Sequence, residues 1–222
     1  MSISKQNGRF ENILFDLDGT LTNPKVGIVN SILYALEKLS IIETNIDELE
    51  TFIGPPLRES FVTRYNLTES SADLAMNYYR EYFSAKGLYE NEVYSDIPAL
   101  LEVLFANKYK LFVATSKPTL YAEKIVEHFN LNKYIVKTIG SNLDNTRTDK
   151  SEVISHVIST YGLQTANSVM IGDRKFDIIG AKNNSIKSIG VTYGYGTLEE
   201  LQLHKPDFIV NNCDEIKAIL LN

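Results

Sequence analysis

The chain has 222 residues and a formal net charge of −6, from 28 acidic and 22 basic side chains. Its hydrophobic fraction of 44% and charged fraction of 23% are typical of a folded globular protein. The negative charge argues against general affinity for nucleic acid polymers or anionic membranes. No apolar run has the length of a signal peptide or a bilayer span, and the single cysteine, Cys213, cannot form an internal disulfide. We therefore expect a cytoplasmic protein in which Cys213 is structural.

Six short apolar runs are predicted to form β-strands. They are continuous rather than alternating, and stretches of helical period separate them, as where Ile125, Val126 and Phe129 share one face. Continuous apolar strands between helices are typical of a parallel sheet covered on both faces. The predicted fold class is therefore α/β, with a Rossmann-like parallel sheet core. The runs are residues 12–15, 110–115, 134–141, 168–173, 187–193 and 207–212.

The interval from Asn23 to about Glu92 has helical patterns and no convincing strand. Asn23-Pro24 is a typical helix start, Gly54-Pro55-Pro56 interrupts the pattern, and Thr68 can cap a further helix. This interval is predicted to be an all-helical cap inserted between the first strand and the rest of the sheet. The predicted domains are an α/β core of residues 1–22 and 92–222 and a helical cap of residues 23–91.

Polar side chains stand where the predicted strands end. Asp16 follows the first strand, Thr115 ends the second and Asp173 ends the fourth, whereas Lys150 begins the helix after the third. Because the carboxyl ends of parallel strands meet at one edge of a sheet, we expect these side chains to converge. The inserted cap leaves the chain beside that edge and can fold over it.

The acids at this edge predict a magnesium site. Clustered carboxylates repel one another unless a cation lies among them, and oxygen ligands favour Mg²⁺. The expected ligands are Asp16, the backbone carbonyl of Asp18, and Asp173. Asp177 follows Asp173 by one helical turn, which suits a supporting carboxylate on the same helix face.

The remaining groups at the edge suit a phosphoryl group. The amides of the Gly19 turn, the Thr115 hydroxyl and the Lys150 ammonium can bind three phosphoryl oxygens. A carboxylate such as Asp16 can attack phosphorus once a cation screens the repulsion, and Asp18 can protonate the leaving oxygen and later accept a proton from water. This division of roles predicts phosphoryl transfer through an aspartyl phosphate.

Four segments resemble, in order, the four motifs of the haloacid dehalogenase superfamily: DLDGT (16–20), LFVATS (111–116), Lys150 and GDRKFD (172–177). The helical insert is similar to the small cap of its phosphoglycolate-phosphatase-like branch. Residues 140–150 and 191–196 are similar to a subgroup labelled phosphoglycolate phosphatase or 5′-nucleotidase. Two positions depart from the usual pattern of that subgroup, because Asn145 stands where glycine is expected and Phe176 where histidine is frequent.

The resemblance implies a role for each matching residue. It makes Asp16 the nucleophile and Asp18 the proton shuttle, both catalytic. The substrate-binding residues that it implies are Gly19, Thr115, Ser116 and Lys150, to which we add Arg58 on the cap. The metal-site residues that it implies are Asp16, Asp18, Asp173 and Asp177, with Mg²⁺ as the cofactor.

The predicted function is that of a magnesium-dependent phosphatase acting on a small phosphorylated metabolite, either a phosphoglycolate-like ester or a nucleoside 5′-monophosphate. A phosphosugar mutase of the same superfamily and a non-enzymatic receiver-like phospho-accepting domain are the alternatives. We expect no nucleic acid polymer or membrane as a partner, and a monomer or homodimer. Arg58 is equally consistent with a substrate contact and a surface arginine, and Arg147 and Arg174 are further candidates at the rim.

Overall fold

The computed structural model describes residues 10–144 and 146–221, so Asn145 lies outside the described residues. Its strands form one sheet of six and a separate antiparallel pair, β2 with β3. The strands are β1 (Asn12–Phe15), β2 (Thr22–Asn23), β3 (Glu92–Val93), β4 (Lys110–Pro118), β5 (Ile135–Ser141), β6 (Ser168–Gly172), β7 (Lys187–Val191) and β8 (Phe208–Val210).

The larger sheet has the order β5-β4-β1-β6-β7-β8, and every pair in it is parallel. The helices of the described residues are α1 (Lys25–Lys38), α2 (Leu57–Tyr65), α3 (Glu69–Tyr82), α4 (Ile97–Ala106), α5 (Thr119–His128), α6 (Lys150–Tyr161), α7 (Lys175–Asn183), α8 (Leu198–His204) and α9 (Cys213–Leu221). Helices from α4 onward pack on the sheet. Two 3₁₀ turns, Ile46–Phe52 and Thr165–Asn167, and a π-helical turn, Phe83–Gly87, complete the helical structure of the described residues.

The sheet is buried on both faces, which explains its continuous apolar strands. In β1, Ile13 and Phe15 pack into the core on one face, and Leu14 packs with Phe112 and Met170 on the other. Successive side chains of a strand point to opposite faces, so both parities must be apolar when both faces are covered. The predicted α/β fold with a parallel sheet and an inserted helical segment is confirmed.

The helices α1, α2 and α3 lie between β2 and β3, and residues 24–91 are called the helical insert below. Thr68 caps α3 as predicted, because its hydroxyl accepts a hydrogen bond from the Ser71 amide at 3.3 Å. Helix α1 begins one residue later than an Asn23 cap predicts, since Pro24 precedes it while the Asn23 side chain accepts from the Lys25 amide. The sequence did not reveal the antiparallel pairing of β2 with β3, which joins the two segments that lead into and out of the helical insert. The domain limits given above stay a prediction.

Two further expectations from the sequence concern Cys213 and membrane-spanning helices. Cys213 is buried at the start of α9, and burial raises the pKa of its thiol to about 11, as expected of a structural cysteine. Across residues 10–144 and 146–221, no helix is both long and apolar enough to cross a bilayer.

Candidate active site

The candidate site lies at the carboxyl end of β1, where the sheet order reverses. The chain runs from β1 outward to β4 and β5 on one side, and then returns to β6, β7 and β8 on the other. Such a switch point leaves a crevice in which ligands of open α/β sheets bind. Asp16 extends β1 beyond its last residue, because its amide donates to the Ile171 carbonyl at 2.9 Å. Thr115 is within β4, which continues past the predicted end at residue 115 to Pro118.

Three buried carboxylates meet at this switch point. Asp16, Asp173 and Asp177 each offer an oxygen within 4.8 Å of the other two, and the three side chains are almost fully buried. The Lys150 ammonium lies 2.8 Å from Asp16 Oδ1 and 2.9 Å from Asp177 Oδ1. The Lys150 ammonium therefore pairs with two of the three carboxylates. Asp16, Asp173 and Asp177 are called the acid cluster below.

The pKa values of the acid cluster show that its carboxylates have too little positive charge near them. Burial raises the pKa of Asp173 to about 7, with repulsion from Asp177 and Asp16 adding to it. Burial also raises the pKa of Asp177 to about 6, although Lys150 acts in the opposite direction. Burial disfavours the charged form of Lys150, but the two carboxylates outweigh that effect and raise its pKa. The lysine alone does not neutralise the cluster.

The acid cluster fits a divalent cation. Asp177 Oδ1 is the one buried side-chain oxygen or nitrogen without a hydrogen bond among the described residues, although it lies beside the Lys150 ammonium. A buried carboxylate oxygen whose one close partner among the described residues is the Lys150 ammonium, next to two further carboxylates, belongs to the donor set that Mg²⁺ prefers. The carboxylate of Asp18 is not part of the cluster, so a metal contact through its backbone carbonyl stays a prediction.

Two glycines allow the acids to approach one another. Gly19 has a φ of 85°, in the left-handed region, and a Cβ there would lie 2.3 Å from Asp173 Oδ2. At Gly172 an added Cβ would lie 2.1 Å from the Asp177 carboxyl carbon. The glycines of the two acidic motifs therefore make room for carboxylates of the cluster.

A loop after β7 also supports the acid cluster, and sequence reasoning missed this role. The Tyr195 amide donates to Asp173 Oδ2 at 2.7 Å, and the Thr20 hydroxyl donates to the other oxygen at 3.3 Å. Gly194 lies so close that a Cβ there would stand 2.3 Å from the Gly19 carbonyl oxygen. The Tyr-Gly-Tyr-Gly pattern of residues 193–196 was the available signal, but a loop ending a strand explains that pattern equally well.

Asp18 stands apart from the acid cluster and pairs with Lys117, another residue that sequence reasoning missed. The Lys117 ammonium lies 2.9 Å from Asp18 Oδ1 and 2.8 Å from Oδ2, and 4.7 Å from the centre of the Phe83 ring. Burial raises the pKa of the Asp18 carboxyl, and Lys117 offsets part of that rise. Lys117 lies two residues beyond Thr115, and alternate residues of an extended strand share a face.

A cavity of about 330 Å³ separates the sheet edge from the helical insert. Asp16, Asp18, Thr115, Ser116 and Lys150 all line it, so the structure brings together the central residues that the sequence predicts. Nearly all of the Thr115 side chain is buried. The insert forms the opposite wall of the cavity.

The three candidate arginines differ in position. Arg58 lines the cavity, but its guanidinium pairs with Glu69 at 2.6 Å and Asp73 at 2.9 Å on the insert. Arg147 is turned back towards the end of β5, where it donates to the Gly140 carbonyl at 3.0 Å.

Arg174 lies at the rim and spans the core and the insert. Its Nε lies 3.0 Å from Glu200 Oε1, and its Nη1 donates to the Ile53 carbonyl of the insert. The glycine at position 54 leaves room for this contact, because a Cβ there would lie 2.7 Å from Arg174 Nη1.

The fold and the site together define an α/β enzyme class in which a helical insert covers buried acids at the switch point of a parallel sheet. A family profile described as haloacid dehalogenase-like hydrolase matches residues 13–191 of this chain. The chain belongs to the haloacid dehalogenase-like hydrolases, and the family predicted from the four motifs is confirmed.

Several relatives match over nearly the whole chain. A Pseudomonas aeruginosa protein named 5′-nucleotidase is 46% identical over 211 residues, which cover 95% of this chain and 94% of that protein. A Mycobacterium tuberculosis protein named tyrosine-protein kinase PtkA is 34% identical over 94% of this chain and 72% of its own length. The crystal structure of a predicted phosphatase from Clostridium acetobutylicum has a TM-score of 0.92 and 44% identity, and the match covers 96% of this chain and 99% of that one.

Proposed function

We propose that the protein is a magnesium-dependent phosphatase that hydrolyses a small phosphomonoester through an aspartyl phosphate on Asp16. The observation that carries the proposal is the acid cluster at the floor of the cavity, with Lys150 and Thr115 beside it. Membership of a hydrolase family and full-length similarity to a relative named 5′-nucleotidase support the reaction class. The substrates in view are a phosphoglycolate-like ester and a nucleoside 5′-monophosphate.

Asp16, Asp173 and Asp177 would hold the cation, and the close approach of their oxygens and the raised pKa values of Asp173 and Asp177 support this assignment. When bound, Mg²⁺ would offset the negative charge of the phosphoryl group and of the carboxylates around it. The Thr115 hydroxyl and the Lys150 ammonium supply further positive or hydrogen-bonding groups for the phosphoryl oxygens. Ser116 and the Gly19 turn complete the proposed binding groups.

In the first half-reaction, a carboxylate oxygen of Asp16 forms a bond to phosphorus as the bond to the leaving oxygen breaks. Asp16 Oδ1 is held by the Leu17 amide at 2.7 Å and by Lys150, whereas Oδ2 has no hydrogen bond from the described residues. Asp18 gives its proton to the leaving oxygen, so the alcohol departs neutral. Burial of Asp18 favours the protonated form that this step requires.

In the second half-reaction, a water molecule attacks the phosphorus of the aspartyl phosphate. Asp18, now a carboxylate, accepts a proton from that water, and the bond between phosphorus and Asp16 breaks. Inorganic phosphate leaves and both aspartates return to their starting states. Lys117 contacts both oxygens of Asp18 and supports its orientation between the two steps.

The test is phosphate release from p-nitrophenyl phosphate and from a panel of phosphorylated metabolites, with Mg²⁺ and after its removal by a chelator. We expect turnover that requires Mg²⁺ and that falls at least about 10³-fold in Asp16→Asn, because the nucleophile is lost. Asp144→Asn is the matched control, since Asp144 is an exposed loop carboxylate that hydrogen-bonds only to its neighbour Thr146 among the described residues.

The same assay separates the alternatives. Isomerisation of a sugar phosphate without net release of phosphate would contradict the phosphatase and indicate a mutase. Stoichiometric labelling of Asp16 without turnover would indicate a phospho-accepting domain. Full activity of Asp16→Asn would refute the proposed nucleophile.

A further inference from the structure

Two tyrosines from different parts of the fold face the cavity beside Asp18. Tyr79 belongs to α3 of the insert and Tyr121 to α5 of the core, and both line the cavity. The Phe83 ring contacts both tyrosines. It stacks on the Tyr79 ring with 5.4 Å between ring centres, and it meets the Tyr121 ring edge-on with 5.5 Å between centres. The three rings form an aromatic wall beside the Lys117–Asp18 pair, since the Lys117 ammonium lies 4.7 Å from the centre of the Phe83 ring. A leaving group that takes its proton from Asp18 would lie near this wall.

The two hydroxyls of this wall have no hydrogen-bond partner within the part of the chain that the structure describes. Tyr79 and Tyr121 are 8% and 9% exposed, yet neither phenolic oxygen has a hydrogen bond from residues 10–144 and 146–221. Neither is among the fully enclosed unpartnered atoms of those residues, so each oxygen keeps contact with the cavity. Burial and the nearby Asp18 charge raise the pKa of Tyr79 well above its ordinary value, so it stays a neutral donor. Buried polar groups without partners are unusual, and a ligand that pairs with them is favoured.

The cationic side chains of the cavity favour a leaving group without a carboxylate. Arg58, Lys117, Lys150 and Arg174 all line it, and each is already paired with a carboxylate. Arg80, which also lines it, is not without a partner. A leaving group that carries its own carboxylate would have to break one of these ion pairs, whereas a neutral hydroxylated group would not.

We propose that Tyr79 and Tyr121 are specificity-determining residues that hydrogen-bond hydroxyl groups of the leaving alcohol. The preferred substrates are then phosphate esters of sugars or nucleosides, and not of small hydroxy acids. A phenol both donates and accepts, which matches a sugar hydroxyl, and the aromatic faces pack against the carbon skeleton. This inference rests on the proposed phosphatase and chooses among its substrates.

The test compares Tyr79→Phe, Tyr121→Phe and the double variant on two esters. Ribose 5-phosphate has a hydroxylated leaving group, whereas p-nitrophenyl phosphate has none. We expect each single variant to lower the ratio of kcat/KM for ribose 5-phosphate to that for p-nitrophenyl phosphate by about 3- to 10-fold, the effect of one lost hydrogen bond. The ratio cancels any loss of folded enzyme, because both esters report on the same sample.

Tyr78→Phe is the matched control, because Tyr78 is the neighbouring residue on α3 and does not line the cavity. Its ratio should equal that of the unaltered protein. A nucleoside 5′-monophosphate measured in parallel distinguishes a nucleoside from a free sugar, and phosphoglycolate supplies the hydroxy-acid comparison.

Several results would overturn the inference. One is an unchanged kcat/KM on both esters in both tyrosine variants. Another is a loss by the same factor on both esters, which leaves the ratio unchanged and shows that the tyrosines do not read the leaving group. Faster hydrolysis of phosphoglycolate than of ribose 5-phosphate would also overturn it. All three leave the phosphatase intact, whereas no release of phosphate from any ester would overturn the proposed function itself.

Discussion

Replacement of Lys150 by methionine tests how the acid cluster is held in the folded protein. The ammonium lies within 2.9 Å of two buried carboxylates and donates to the Ala114 carbonyl at 3.2 Å. Methionine keeps most of the side-chain volume but removes the charge. The Lys150→Met variant therefore leaves Asp16 and Asp177 buried without their cation.

The expected loss follows from that burial. The Lys150 side chain is 4% exposed and that of Asp177 is 0% exposed, so water cannot replace the ion pair. Removal of one partner of a buried pair costs about 3–5 kcal/mol in the free energy of unfolding. For a chain of this length, that loss lowers Tm by about 6–20 °C.

The loss of unfolding free energy in Lys150→Met should depend on pH. Asp173 and Asp177 have raised pKa values of about 7 and about 6, and removal of the Lys150 ammonium raises the pKa of Asp177 further. A carboxyl whose pKa is raised in the folded state makes the folded protein less stable as pH rises from its unfolded-state pKa to its folded-state pKa. The destabilisation should therefore be largest near pH 8 and smaller near pH 5.5, where the carboxyls take up protons.

The assay is urea unfolding and thermal unfolding of the metal-free protein at both pH values. Lys124→Met is the matched control, because Lys124 is exposed on α5 and should change stability little. An equal loss at pH 8 and pH 5.5 would refute the electrostatic explanation. A variant as stable as the unaltered protein at pH 8 would refute the importance of the buried pair.

Three further predictions concern the acid cluster and the insert. Gly172→Ala would displace the Asp177 carboxylate and lower the free energy of unfolding by about 1–3 kcal/mol, and calorimetric titration should show weaker Mg²⁺ binding. Gly162→Ala also loses stability, because Gly162 has a φ of 60°, but open space surrounds its Cβ and it should leave that binding unchanged. The metal-free protein should lose stability in scanning calorimetry as pH rises from about 4 to about 7, since Asp173 titrates there, whereas Mg²⁺ at a hundred times its Kd should add about 2.7 kcal/mol above that range. Stability independent of pH and of Mg²⁺ would contradict the proposed site. Arg174→Ala removes an ion pair and a contact to the insert; urea unfolding should show a loss of about 1.5–3 kcal/mol, and protease cleavage of the insert as slow as in the unaltered protein would count against that contact.

The sequence could predict that Asp16, Thr115, Lys150 and Asp173 converge at one edge of the sheet. The place of each residue relative to a strand end or a helix start is enough to decide this. Each follows or ends an apolar strand or begins the next helix, and parallel topology brings those points to one edge. The side chain needs no special partner for that argument to hold. Asp16, Thr115 and Lys150 line the observed cavity, and Asp173 lies beside Asp16 in the acid cluster. Their chemical roles remain proposals.

The partners of the same residues could not be predicted. Lys117 pairs with Asp18 across 99 residues of sequence, and Tyr195 donates to Asp173 across 22. Such contacts depend on side-chain rotamers and on how the loop after β7 packs, and no local pattern encodes either. For the same reason Arg58, which the sequence left open, lines the cavity while it pairs with acids of its own insert.

The sequence by itself determined the fold class, the family and the ordered set of chemical groups, because periodicity and motif spacing are local properties of the chain. Only the tertiary structure decided which carboxylates lie together, which lysine contacts Asp18, and that the hydroxyls of Tyr79 and Tyr121 face the cavity without a hydrogen bond from the described residues. Those facts arise where the insert meets the sheet edge, and burial there turns ordinary acids and phenols into groups that require a ligand.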